Sequence, residues 1–163
     1  MKARITLMAA MMTIVLSAAA MPFTEARNKA MFLSDKMAYE LNLTGTQFSA
    51  VYEINLDYML NLEEEADMQG FIWKIRNRDL GFVLSDAQYN QYHNSEWLYR
   101  PFTMSDEGWT LAVNERYGEG MYLMQEPEVF LSYKGGHCQT DDSFYADQQF
   151  EEPYPPKYLG QAD

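Results

Sequence analysis

The chain holds two histidines, His93 and His137, and one cysteine, Cys138. Any Ser-His-Asp or Cys-His nucleophilic arrangement must therefore use one of these two imidazoles. His137 and Cys138 are neighbours, which tends to send their side chains apart, and the thiol reads as inert or as paired between chains. His93 lies among Tyr89, Tyr92 and Trp97, a setting for packing rather than proton transfer. The acid pairs Asp141-Asp142 and Glu151-Glu152 could hold calcium weakly, but the sequence has no Asp-x-Asp-x-Asp-Gly loop, and a solvated tail is the simpler reading. Neither a glycine-rich phosphate loop nor His-Glu-x-x-His occurs. A lone cysteine excludes a Cys-rich zinc site and an intramolecular disulfide framework. The expectation is a non-enzymatic protein with no catalytic residues, no metal and no cofactor, with a hydrolase using His93 or His137 as the distant alternative.

Surface chemistry offers more. Lys74, Arg76 and Arg78 cluster in one segment, with Arg100 further on. Lys74 and Arg78 are four apart and share a helix face. They either form a basic patch for an acidic client or belong to a solvated face paired with Glu63-Glu64-Glu65 or Asp67. Nine of the twelve tyrosines lie from position 89 onward, with Trp97 and Trp109. Such rings either build a carbohydrate- or peptide-binding face or supply the core of a region poor in aliphatics. The candidate client or partner surface comprises Lys74, Arg78, Trp97, Trp109, Tyr122 and Tyr133.

Helices must position these groups. Ala26, Ala30, Leu33, Met37 and Leu41 recur at helical spacing over Glu25–Asn42. Phe48, Val51, Tyr52, Met59 and Leu62 do so over Thr46–Met68, with Ile54 and Tyr58 widening the stripe. Ile72, Ile75, Leu80 and Val83 define a third helix over Phe71–Val83, weakened by Gly81. A fourth runs from Asp86 to Tyr99, before Pro101. Trp109–Tyr117 reads as a short helix stopped by Gly118, and Met121–Met124 with Glu128–Tyr133 as a small hairpin across Glu126-Pro127. The predicted fold is mainly α: four amphipathic helices in a bent, hairpin-like arrangement, then a short helix, a small β-hairpin and a loose acidic tail. The expected organisation is a signal peptide at 1–20, one mainly helical domain at 21–136 (helical part 25–100, aromatic part 101–136) and a tail at 137–163.

One helix-start device occurs twice. Leu43-Thr44-Gly45-Thr46-Gln47-Phe48 recurs as Leu84-Ser85-Asp86-Ala87-Gln88-Tyr89, 41 residues later. In each copy the Thr44 or Ser85 hydroxyl accepts the amide of the third helical residue, and Gln47 or Gln88 reaches back to the cap amide. Leu43 with Phe48, and Leu84 with Tyr89, stand where a hydrophobic staple packs. In carrying Leu-Thr-x-x-Gln and Leu-Ser-x-x-Gln, the chain resembles exported α-helical proteins of the Spy/CpxP type over roughly residues 25–99. The resemblance implies a bent, elongated helical fold that often dimerises into a cradle. It also implies an ATP-independent chaperone or an accessory of an envelope-stress sensor, with a protein client as partner. A structural or adaptor component of the envelope, binding a protein through the aromatic C-terminal part, is the alternative expectation.

The chain opens with an address. Lys2 and Arg4 precede the apolar run Ile5–Leu16, and Ala18 and Ala20 satisfy the small-x-small rule of a signal peptidase site. The run is shorter than the roughly 20 residues that span a bilayer. The expectation is cleavage after Ala20, a periplasmic or otherwise exported protein, no lipid-modified cysteine and no membrane span after removal. All 163 residues carry a net charge of -12. Without Lys2 and Arg4 the balance is ten basic against 24 acidic residues, or -14. That charge excludes nucleic acid as a partner, since phosphate binding needs clustered Lys and Arg.

Overall fold

The computed structural model describes residues 20–106, 108–118 and 145. The expected signal peptide (apart from Ala20), the hairpin over 121–133 with Tyr122 and Tyr133, His137, Cys138 and the tail (apart from Tyr145) lie outside the described residues. The described chain is mainly helical, with one two-stranded antiparallel sheet. The helices are α1 (Phe23–Leu41), α2 (Gly45–Leu60), α3 (Phe71–Val83), α4 (Asp86–Asn94), α5 (Glu96–Tyr99) and α6 (Asn114–Tyr117). A 3-10 turn at Glu65–Gln69 leads into α3.

Helix α1 starts behind Pro22, whose fixed φ of -57° suits a helix entrance. It stops at Asn42, in the left-handed region at φ 53°, where asparagine is better tolerated than most residues. Helix α2 then runs back along α1. All the apolar positions the spacing assigned to these two helices are buried, from Ala26 to Leu41 and from Phe48 to Leu62.

Two helices end earlier than their apolar spacing predicts. Helix α2 closes at Leu60, not Met68. The Asn61 side chain donates to the Asp57 carbonyl at 2.7 Å, and the Asp67 carboxylate accepts the amides of Glu63 and Glu64, each at 2.9 Å. Three successive glutamates at a helix C-terminus oppose its dipole. Capping a new turn with Asp67 relieves that. Leu62 is still fully buried, so the spacing found the right face but not the conformation. The expected fourth helix divides at Ser95, whose hydroxyl donates to the Gln91 carbonyl at 2.8 Å. The Ser95 carbonyl then accepts the amides of Leu98 and Tyr99, which starts α5.

The segment after Pro101 is corrected too. Trp109 belongs to a strand, not a helix. Strands β1 (Phe102–Ser105) and β2 (Gly108–Leu111) pair antiparallel, with Phe102 opposite Leu111 and Met104 opposite Trp109. Thr, Trp and Phe favour the pleated surface, and Pro101 keeps the entrance extended. Only Asn114–Tyr117 of the expected helix forms, ending as expected at Gly118 with φ 72°.

One core joins these parts. Leu33, Met37, Tyr52, Met59, Leu80 and Tyr92 meet Leu98, Phe102, Leu111, Val113 and Tyr145 in the same cluster. The hairpin and α6 are thus built onto the helical body. Among the described residues, no helix is long and apolar enough to cross a membrane.

Candidate functional site

The two motif copies meet. Each forms the expected capping box. The Thr44 hydroxyl accepts the Gln47 amide at 3.1 Å, and the Thr44 amide donates to Gln47 Oε1 at 3.0 Å. The Ser85 hydroxyl accepts the Gln88 amide at 3.3 Å, and the Ser85 amide donates to Gln88 Oε1 at 2.9 Å. Each carboxamide then uses its NH2 group across the molecule. Gln47 Nε2 donates to Gln88 Oε1 at 2.8 Å and to the Val83 carbonyl at 3.0 Å. Gln88 Nε2 donates to Gln47 Oε1 at 3.2 Å and to the carbonyls of Leu41 and Asn42 at 3.1 and 3.4 Å.

The arrangement is close to two-fold. Adding 41 to Asn42, Leu43, Thr44 and Gln47 gives Val83, Leu84, Ser85 and Gln88. Each glutamine caps the start of its own helix and satisfies the end of the helix that precedes the other motif. Four helix termini, those of α1, α2, α3 and α4, are closed by two side chains. Gln47 and Gln88 are almost fully buried, as are Thr44, Leu43, Leu84 and Phe48, while Tyr89 is half-buried. Glutamine suits the task because a carboxamide both donates and accepts, whereas a carboxylate only accepts. The sequence indicated the two caps but not their junction.

The basic cluster separates into three environments. Arg76 is fully buried, which its place between Lys74 and Arg78 did not suggest. Its Nε donates to Asn55 Oδ1 at 2.8 Å, Nη1 to the Tyr92 hydroxyl at 2.8 Å and Nη2 to the Leu98 carbonyl at 3.2 Å. The guanidinium lies 5.3 Å from the Tyr58 ring centre and 5.5 Å from that of Tyr92, within cation–π range. Asn55 donates in turn to the Ser34 hydroxyl at 2.8 Å, and Tyr92 to Asn77 Oδ1. These partners tie α1, α2, α3, α4 and α5 to one cation. Burial pushes the Tyr58 and Tyr92 hydroxyls well above the usual phenol range, against the opposing pull of the Arg76 charge. Both therefore stay protonated at neutral pH.

Lys74 and Arg78 stay on the outer face of α3. Arg78 pairs with Asp79 at 3.3 Å with its side chain 34% exposed. Lys74 is exposed, and its side chain makes no ion pair or hydrogen bond among the described residues. Phe71 and Phe82, at 66% and 46% exposure, stand at the two ends of the same face.

Trp97 and Trp109 are half-buried against other rings. Trp97 lies 5.9 Å from the Tyr117 ring, with the Arg116 guanidinium 5.3 Å above it. Trp109 meets Phe102 edge-on at 6.0 Å. The Tyr117 hydroxyl donates to the Glu40 carboxylate, which Arg116 also approaches at 3.3 Å, so α6 is fastened to α1. His93 packs on Tyr99, with ring centres 4.6 Å apart. Among the described residues, no group of three His, Cys, Asp or Glu side chains could hold a metal ion. Compared with models of protein families, with curated proteins and with solved structures, the chain finds no match.

Proposed function

We propose that the chain is an exported, non-enzymatic protein that binds other proteins without ATP, as a chaperone or envelope-stress accessory of the Spy/CpxP kind. The observation that carries this reading is the use of both motif copies. The sequence feature shared with that group appears twice here, and both copies are spent on joining two successive helix pairs, α1–α2 and α3–α4. A body built this way presents helix faces to its surroundings. The outer face of α3 presents exposed phenylalanines and a lysine, groups suited to transient contact with unfolded chain. Export is supported by the basic start, the apolar run Ile5–Leu16 and Ala18/Ala20.

The test is light scattering of a thermally unfolding client without ATP. Purified protein in several-fold molar excess suppresses the scattering. Unchanged scattering across a set of unrelated clients would remove the chaperone activity.

A second reading is an envelope adaptor that holds a partner through its aromatic C-terminal part. Half-buried Trp109, in edge-on contact with Phe102, favours it. Phe102, Leu111 and Val113 belong to the common core, so deleting the segment would unsettle the helices. The informative variant is Trp109→Ser, which under this reading loses co-purifying envelope partners while keeping the helical circular dichroism spectrum.

A further inference from the structure

Phe71, Lys74, Arg78 and Phe82 are spaced i, i+3, i+7 and i+11, which places them in one stripe along α3. The opposite side of the helix faces inward through Arg76, Leu80 and Val83. At 1.5 Å per residue the stripe is about 16 Å long. An extended peptide of about five residues covers that length. The stripe is basic between two apolar ends, on a chain of net charge -12. Lys29, Lys36, Arg78, Arg100 and Arg116 are each held by a carboxylate of this chain, whereas the side chain of Lys74 has no such partner among the described residues.

We propose that the outer face of α3 docks an acidic, extended segment of a partner protein, a carboxylate on Lys74 beside the Arg78–Asp79 pair and its apolar side chains on Phe71 and Phe82. The inference rests on the protein-binding reading above and names the chemistry of the bound segment. Charge complementarity selects this occupant. A second copy placed face to face across a two-fold axis would set Lys74 and Arg78 against their own counterparts, and like charges oppose that pairing. An anionic lipid surface would meet the same two cations but would repel the rest of an acidic protein.

The test is fluorescence anisotropy of a labelled Phe-Glu-Glu-Glu-Phe peptide with the purified full chain. The expected result is saturable binding that weakens with salt and falls about tenfold in Lys74→Glu, with Phe71→Ser and Phe82→Ser also weakening it. A Phe-Lys-Lys-Lys-Phe peptide is expected to bind Lys74→Glu and not the parent. The substituted positions are exposed, and unchanged thermal melts establish that each variant is folded. Equal affinity of all variants for the acidic peptide overturns the proposal. So does preferential binding to phosphatidylglycerol vesicles, or loss of a dimer on Phe82→Ser. A rise of about tenfold in peptide affinity on neutralising Asp147, Glu151 and Glu152 would give the site to the chain's own tail, and also overturns it. If peptide binding fails while client scattering is still suppressed, only this inference falls. If the peptide binds and scattering is unchanged, the chaperone reading falls instead.

Discussion

Gln47 and Gln88 each satisfy groups from three segments of chain, so their substitution reaches further than loss of a cap. Thr44→Ala removes one capping bond and is expected to cost about 1 kcal/mol in denaturant unfolding. Gln47→Glu keeps the shape but deletes the donors to Val83 and Gln88. It also turns a carboxylate toward the Gln88 oxygen. The expected loss at neutral pH is about 2–3 kcal/mol. Burial raises the pKa of the introduced acid, so the loss shrinks as the pH falls and the carboxyl protonates. Urea midpoints at neutral and mildly acidic pH measure both effects. Arg76→Lys is expected to destabilise by about 2 kcal/mol, because a point ammonium cannot serve Asn55, Tyr92 and the Leu98 carbonyl as a planar fork does. The capping roles of Thr44, Ser85 and their glutamines are legible in five residues of sequence. Their junction is not, because it depends on how the two helix pairs dock. Arg76 shows the reverse case: its neighbours suggest a solvated patch, and only the helix phase relative to Leu80 and Val83 places it inside.

At the scale of elements, the apolar stripe gives the buried face of each helix more reliably than its length. Phe71–Val83 is read correctly end to end, since Gly70 and the Leu84-Ser85 cap bound it on both sides. Helix α2 and the α4–α5 pair are overextended, because Asn61, Asp67 and Ser95 redirect the backbone through side-chain bonds that periodicity does not register. The two glycines beside and within α3 differ in kind. A Cβ at Gly70 would come within 2.9 Å of the Ala66 carbonyl oxygen, a backbone atom that cannot easily move. Gly70→Ala is therefore expected to lower the thermal midpoint. A Cβ at Gly81 meets only a Tyr89 ring carbon at 3.6 Å, an ordinary contact. Gly81→Ala is expected to stabilise by about 0.5–1 kcal/mol, read as a rise in the same midpoint. A fall there would mean that Tyr89 has no room to accept the methyl group.

For the molecule as a whole, buried phenols set an alkaline limit. Tyr58 and Tyr92 have pKa values raised in the folded state above the ordinary value near 10. A raised folded pKa contributes stability that is complete below the unfolded value and is lost as pH climbs from there toward the folded value. Thermal midpoints are thus expected to hold steady toward pH 10 and fall beyond it, with Tyr92→Phe showing a shallower fall. A net charge of -12 adds self-repulsion that salt relieves. The central claim concerns the joint between the α1–α2 and α3–α4 helix pairs, and a double-mutant cycle on Gln47→Ala and Gln88→Ala tests it most directly. The two losses are expected to be strongly non-additive, with a coupling of about 1–3 kcal/mol, because either substitution already breaks the shared pair. Losses that simply add, within about 0.5 kcal/mol, would mean that the two motifs are separate helix starts and that no such joint exists.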